Sequence, residues 1–371
     1  MYNGTKVLDV HSHIHDLSMT GGARAPRLGT PFWSTLSGIP GLGASKPLPS
    51  PIGPGKHSDQ PGNKDEDFQT VSAGLAKYMD ERKIDTQILS PHPLQIHGWM
   101  ERANLFQSWI SYSNDMVFKL VQAEPSRFVG AAQLPQRADE KDTTHCLEEL
   151  ERCVTEYGFV ATYVSPDITG RGDTPTMNMP YWYPLYDKCQ ELGIPIIIHG
   201  TDGLNPRLPE MSIGRYFEFN FIPPQSMALA TLRQNDQFER FPGLKIIICH
   251  CGGFVDRLGP GSAYLAKERD NSANLFYDTA AYDLDFLALA IKQRGVSQFA
   301  YGTEAPGSGT ELRPGTEHTA DDLVPMFADH PTLGFLSEED KLDILHNTPA
   351  KLAPGLADAA ATNAKAKVKA Y

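Results

Sequence analysis

Apolar residues along this chain fall into short unbroken runs separated by segments of helical period. Strand-length runs occupy 7–10, 86–90, 127–134, 159–164, 194–198, 245–249, 274–278 and 298–302. Several are apolar throughout, as strands buried on both faces must be. The segments between them repeat every three or four residues, as in Leu147, Leu150, Cys153 and Val154, or Leu284, Leu287 and Ile291. That spacing gathers apolar side chains on one face of a helix. Eight strands alternating with helices predict an α/β chain folded as a closed (β/α)8 TIM-type barrel, with its chemistry at the C-terminal ends of the strands. An open doubly wound sheet is the alternative, disfavoured because no glycine-rich phosphate turn follows the first strand.

Two stretches break the pattern. Residues 17–66 hold nine glycines and eight prolines and show no sustained period. A segment of that length without structure of its own is expected to be a lid, a binding loop or a disordered segment. It leaves directly from His13, so it starts at the barrel mouth; Phe32 and Trp33 within it are expected to anchor it to the surface. The tail 357–371 is rich in alanine and lysine, and reads as a frayed helix or an arm that packs on another subunit. The expected organisation is one barrel domain over 1–356, with the Pro/Gly-rich insertion after its first strand, and then the tail.

Composition narrows the partners. With 371 residues, 40% hydrophobic and 21% charged, the chain reads as a soluble globular protein with a sizeable core. A formal net charge of −12 argues against nucleic acid or an anionic membrane as the main partner. It leaves room for a small-molecule carboxylate substrate if the pocket carries a metal or an arginine. No window approaches the roughly 18–20 apolar residues of a membrane span, and no signal peptide is visible. Five cysteines, odd in number and without a CxxC pair, read as reduced thiols in a cytoplasmic protein.

Candidate chemistry sits at the strand ends. The first strand runs into His11, Ser12 and His13. Alternate side chains of a strand share a face, so the two imidazoles can meet at one spot, half of a site for a first-row metal such as Zn, Fe, Mn or Ni. The fifth strand delivers His199, the sixth His250 and the eighth Glu304. A lone histidine after a strand is more often structural, but a barrel points all these ends at one axis, so the set is expected to be the active site. Lesser candidates for binding substrate are Arg207, Arg215 and Arg257 as carboxylate clamps, and His92 and His97 as pocket lining. Asp278 is expected to orient His250 or a ligand, or to cap the next helix. Cys249 and Cys251 read as packed thiols; His318, His330 and His346 read as structural or exposed.

The HxH pair, His199 and His250 after apolar runs, and Gly302-Thr303-Glu304 together resemble the amidohydrolase superfamily. Phe241-Pro242-Gly243-Leu244-Lys245, His250-Cys251-Gly252-Gly253 and Ile344-Leu345-His346-Asn347-Thr348-Pro349 narrow this to its amidohydrolase-related branch. That branch contains aminocarboxymuconate-semialdehyde decarboxylase, resorcylate decarboxylase and oxalomesaconate hydratase. The resemblance covers nearly the whole chain apart from 17–66 and the tail. It implies one divalent metal, zinc first and manganese as the alternative, held by His11, His13, His199 and Glu304, with His250 and Glu304 as the catalytic pair. Glu304 stands where the family usually has an aspartate. No lysine of the binuclear enzymes is identifiable at the end of the fourth strand, where Thr162 and Tyr163 lie, so a single metal is expected.

These groups suit three reactions. The first is non-oxidative decarboxylation of an aromatic or ring-cleavage-derived acid, with a metal as electron sink and Glu304 or His250 moving the proton. Hydration of an unsaturated acid uses the same parts, and Glu304 with the Pro314–Asp322 segment pulls toward it. Metal-dependent hydrolysis of an ester, lactone or amide is the third. A homo-oligomer is the expected assembly.

Overall fold

The computed structural model describes residues 1–14, 65–93, 103–201, 218–258, 271–307 and 309–368. Seven parallel strands lie side by side in chain order: β1 (Leu8–Ile14), β2 (Thr86–Pro91), β3 (Phe128–Gln133), β4 (Ala161–Val164), β5 (Ile196–Ile198), β6 (Ile246–Ile248) and β7 (Leu275–Tyr277). The longer helices that separate them are α1 (Asp65–Glu81), α2 (Ala103–Ala123), α3 (Leu147–Thr155), α4 (Tyr183–Leu192), α5 (Glu218–Gln234) and α6 (Leu284–Arg294). The result is a parallel α/β fold with a curled sheet.

The expected eighth strand is present only as a bridging segment. Phe299 forms a parallel bridge to Tyr277, and Ala300 N–H donates to Tyr277 O at 2.9 Å. On the other side, Val10 N–H donates to Tyr301 O at 2.9 Å. The segment thus touches both edges of the sheet, β7 and β1. It makes no regular ladder because other groups take its donors: Tyr301 N–H goes to Ile344 O, Gly302 N–H to the Thr279 hydroxyl and Thr303 N–H to Asp9.

Strand alternation separates two apolar layers. Ile197 and Ile247 face the interior with Leu8, Val10, Ile88 and Phe276, whereas Ile196, Ile198, Ile246 and Ile248 face the helices. Leu352, Ala353, Leu356 and Ala359 join the interior cluster. The start of the tail therefore packs on its own domain. Asn363 Nδ2 donates to Pro125 O (2.8 Å) and Phe128 O (2.7 Å), and Lys367 N–H donates to Glu156 O at 2.8 Å. The 17–66 insertion lies outside the described residues, apart from Asp65 and Glu66 at the start of α1.

Candidate active site

A β-bulge sets up the centre. The pairing of β1 with β2 shifts register between Asp9 and Ser12. Before the shift, Leu8 and Val10 face the interior; after it, Ile14 joins the outer core and the rings of His11 and His13 meet that of Tyr163 inside. The extra residue of a bulge reverses which side chains point inward, so the histidines stand directly above the apolar interior. Asp9, paired with Gln87, stands just before the bulge at Val10 and His11. Its Oδ1 accepts from His11 N (2.9 Å) and Thr303 N (3.2 Å), and its Oδ2 from the Thr303 hydroxyl (2.5 Å) and Gln87 Nε2 (2.9 Å). Burial pushes its carboxyl up to about 6 against these hydrogen bonds.

Three histidines are oriented alike. His11 Nδ1 donates to Asp278 Oδ2 at 2.5 Å, and His199 Nδ1 donates to Gly200 O at 2.7 Å. His13 Nδ1 lies 2.8 Å from the Ser90 hydroxyl, which donates onward to Ser12 O at 3.2 Å and so accepts from the ring. With each Nδ1 carrying the proton, each Nε2 presents a lone pair. Close approach is required beneath them: a Cβ on Gly302 would sit 2.8 Å from the Asp278 Cβ and 2.9 Å from the His11 Cβ.

Glu304 completes the ring. Its backbone is left-handed (φ 61°), as are His250 (51°) and Cys251 (56°). Such conformations are uncommon outside glycine and concentrate at functional sites. Glu304 N–H donates to His11 O at 2.7 Å, which locks the turn onto β1. Glu304 Oε1 lies 3.1 Å from His250 Nε2 and 3.5 Å from His199 Nε2, and Oε2 accepts from the Tyr282 hydroxyl. The Gln225 amide lies 3.1 Å from His250 Nδ1.

Electrostatics fixes the charge states. Burial pushes the His199 imidazole down to about 4, with His250 and His11 adding to the effect and Glu304 opposing it. Burial, with the neighbouring His199 and His11, also holds His13 well below the ordinary histidine value. Burial works against ionisation of Glu304, but His250, His199 and His11 around it outweigh that and hold its carboxyl well below the usual range. At neutral pH the Glu304 carboxylate is therefore ionised and the His13 and His199 imidazoles are neutral.

The arrangement fits a divalent cation. The ligand atoms of His11, His199, His250 and Glu304 all lie within 4.8 Å of one another, and all four residues are buried. His199 Nε2 is a buried nitrogen without a hydrogen-bond partner. His11 Nε2 and His13 Nε2 are 2.9 Å apart; two lone pairs at that distance repel unless a cation neutralises them. Asp278 is the outer partner that fixes the His11 ring, with its Oδ1 accepting from Cys251 N (2.8 Å) and Ala280 N (3.2 Å). Asp278→Asn is expected to weaken metal affinity by about 10–100-fold, the usual effect of losing such a partner, with the fold retained. Competition against a chromophoric chelator measures this; unchanged affinity would show that His11 needs no carboxylate behind it.

The structure brings His11, His13, His199, His250 and Glu304 to one place. Asp278 also joins, but through His11 and not through His250. His92 is buried with its ring centroid 5.4 Å from that of His13, so it lines the same mouth. Arg257 does not: it is 66% exposed, 3.8 Å from the Asp283 carboxylate and over the Phe286 ring, a surface position. His97, Arg207 and Arg215 lie outside the described residues. Cys249 and Cys251 are buried thiols. His318 contacts Asp322, His330 caps Thr332 N–H, and His346 bonds Lys6 O, all structural positions. Sequence reasoning missed Tyr282 and Gln225, which carry no motif, and Asp9, whose spacing two residues before His11 was available as a signal.

Comparison with known proteins agrees with this geometry. A family model described as Amidohydrolase matches residues 8–354. The chain is 30% identical over 269 residues to the 2-keto-4-carboxy-3-hexenedioate hydratase of Sphingobium sp. (strain NBRC 103272 / SYK-6), covering 70% of this chain and 76% of that protein. It is 29% identical over 214 residues to the gamma-resorcylate decarboxylase of Rhodococcus jostii (strain RHA1), covering 54% of this chain and 60% of that protein. The crystal structure of 4-oxalomesaconate hydratase from Rhodopseudomonas palustris superposes with a TM-score of 0.73 at 26% identity, covering 97% of this chain and 99% of that one.

Proposed function

The chain belongs to the amidohydrolase family, and from that footing we propose a metal-dependent carbon lyase that adds water across a conjugated double bond of a small, multiply carboxylated acid. The observation that carries this reading is the contact between Glu304 Oε1 and His250 Nε2 at 3.1 Å, with Tyr282 holding the other carboxylate oxygen. Water addition needs two proton transfers, one off the incoming water and one onto carbon, and two acid/base groups stand side by side to make them. Loss of carbon dioxide needs only the proton delivered to carbon; it is the second reading, supported by the likeness to the resorcylate decarboxylase.

His11, His13, His199 and Glu304 would hold one divalent ion, for which zinc suits the imidazole and carboxylate donors and manganese is the alternative. When bound, the ion supplies a Lewis acid that polarises and orients the substrate's oxygens. The ionised Glu304 takes the proton from water as the C–O bond forms. His250 delivers a proton to the adjacent carbon as the double bond is consumed. The proton on Glu304 then passes to His250 across their contact, which resets both groups with no other atom gained or lost. His92 and the β3–β4 strand ends shape the space where the acid sits. We read the curled sheet and its bridging segment as a closed (β/α)8 barrel. Five buried, unpaired cysteines support a reducing, cytoplasmic setting, and a symmetric homo-oligomer is the expected assembly.

Incubation in heavy-oxygen water with a panel of conjugated polycarboxylic acids and dihydroxybenzoates tests the reading. The expected product is substrate plus one water, with label in the new hydroxyl and no gas released. Carbon dioxide without label uptake would transfer the assignment to decarboxylation. Two fragments from an ester, lactone or amide would defeat both.

A further inference from the structure

Gln133 ends β3 and shares its alternation with Val129 and Ala131, which face the barrel interior. Its residue is 1% exposed, yet neither the amide nitrogen nor the amide oxygen of its side chain has a hydrogen-bond partner. The backbone there is not loose. Gln133 N–H donates to Asn114 Oδ1 and Gln133 O accepts from Asn114 Nδ2, both at 2.8 Å, and Asn114 Nδ2 is held in turn by Glu149 at 2.7 Å. α2 thus clamps the end of β3 and presents the amide inward.

The register partner of Gln133 on β4 is Tyr163, which is also 1% exposed, belongs to the interior cluster, and has a hydroxyl without a hydrogen-bond partner. The Tyr163 ring centroid lies 5.4 Å from that of His13 and 6.3 Å from that of His11. Three unpartnered polar atoms therefore stand on adjacent strand ends beside the histidine cluster. Buried polar atoms are nearly always paired, and a group of exceptions calls for a ligand that pairs them.

We propose that Gln133 and Tyr163 form a substrate subsite that reads a hydroxyl group, whether enol, phenol or alcohol, on the carboxylic acid bound at the histidines. This rests on the reading of that mouth as a site for small acids. The inventory of donors and acceptors selects the group. A carboxylate accepts from Nε2 and from the Tyr163 hydroxyl but faces the lone pairs of Gln133 Oε1. A hydroxyl gives its proton to Oε1 and accepts from both Nε2 and the Tyr163 hydroxyl, so every atom is used.

Calorimetric titration of the purified full chain with two matched pairs, malate against succinate and 2-hydroxybenzoate against benzoate, tests this. In at least one pair the hydroxy acid is expected to bind about tenfold tighter or more, because sites built to bond a hydroxyl strongly reject its absence. In Gln133→Met, which keeps the side chain's length, that preference is expected to fall below about threefold while the variant melts no lower than the parent, since it sheds two unpaired polar atoms. Tyr163→Phe, as a second variant, is expected to lose part of the same preference. Equal binding within both pairs overturns the proposal, as does a preference that survives both substitutions. A Gln133→Met protein that melts well below the parent assigns the amide a structural role and overturns it too. Because the readout is binding of these acids, it stands apart from the lyase reading, whose own failure would appear as a silent product assay.

Discussion

Changing Glu304 to glutamine is expected to give a folded protein whose kcat is lower by about 10² or more, the scale of general acid/base catalysis. The substitution keeps the length and the acceptor oxygen, so the contact with Tyr282 survives in one amide orientation. What is lost is the negative charge that His250, His199 and His11 stabilise, and with it the ability to take a proton. The turn that carries residue 304 is held by backbone bonds, Glu304 N–H to His11 O and Thr303 N–H to Asp9, and neither depends on the carboxylate. Melting temperature should therefore stay close to that of the parent while turnover collapses. A rate within a few-fold of the parent would move the proton transfer to His250, and His250→Asn would then become the decisive variant.

Much of the fold is written in the apolar runs, because a strand buried on both faces has no freedom to be anything else in an α/β chain. β2 through β7 fall where those runs fall, within two residues at most ends. The eighth run differs for a reason that periodicity does not carry. Gly302 and Thr303 continue the extended path, but Thr279 and Asp9 side chains take their N–H groups in place of a neighbouring strand. Side-chain capture of a backbone donor depends on partners more than twenty residues away and leaves no local pattern.

The site was legible in its chemistry and only partly in its geometry. Histidines and a carboxylate at four strand ends converge because the sheet curls, and fold class alone predicts that. Strict alternation, however, puts Asp9, His11 and His13 on one face and Leu8 and Val10 on the other. The bulge at Val10 and His11 breaks this, so Leu8, Val10, His11 and His13 all serve the interior. Asp9 itself is diverted into bracing β1 against β2 and the bridging segment. Tyr282 and Gln133 were invisible for another reason: their importance lies in what each side chain touches, or fails to touch, and a sequence records neither.

The double change His11→Ala and His13→Ala is expected to abolish metal binding altogether, with activity lost along with it. These two Nε2 atoms lie 2.9 Å apart, and a cation between them and the rest turns a repulsion into two bonds. Of the four proposed ligands, removing both leaves His199 and Glu304, and His250 already engages that carboxylate. Elemental analysis after dialysis should fall from about one ion per chain to background, since a structural or catalytic site rarely survives with fewer than three protein ligands. The fold should persist at a cost. Leu8, Val10, Ile88 and Phe276 below the histidines are undisturbed, while Asp278 Oδ2 loses its partner, a stranded buried acceptor worth about 1–3 kcal/mol. A variant that retains a full complement of metal would place the ion elsewhere, on His199, His250 and Glu304 alone, and would remove β1 from the catalytic centre.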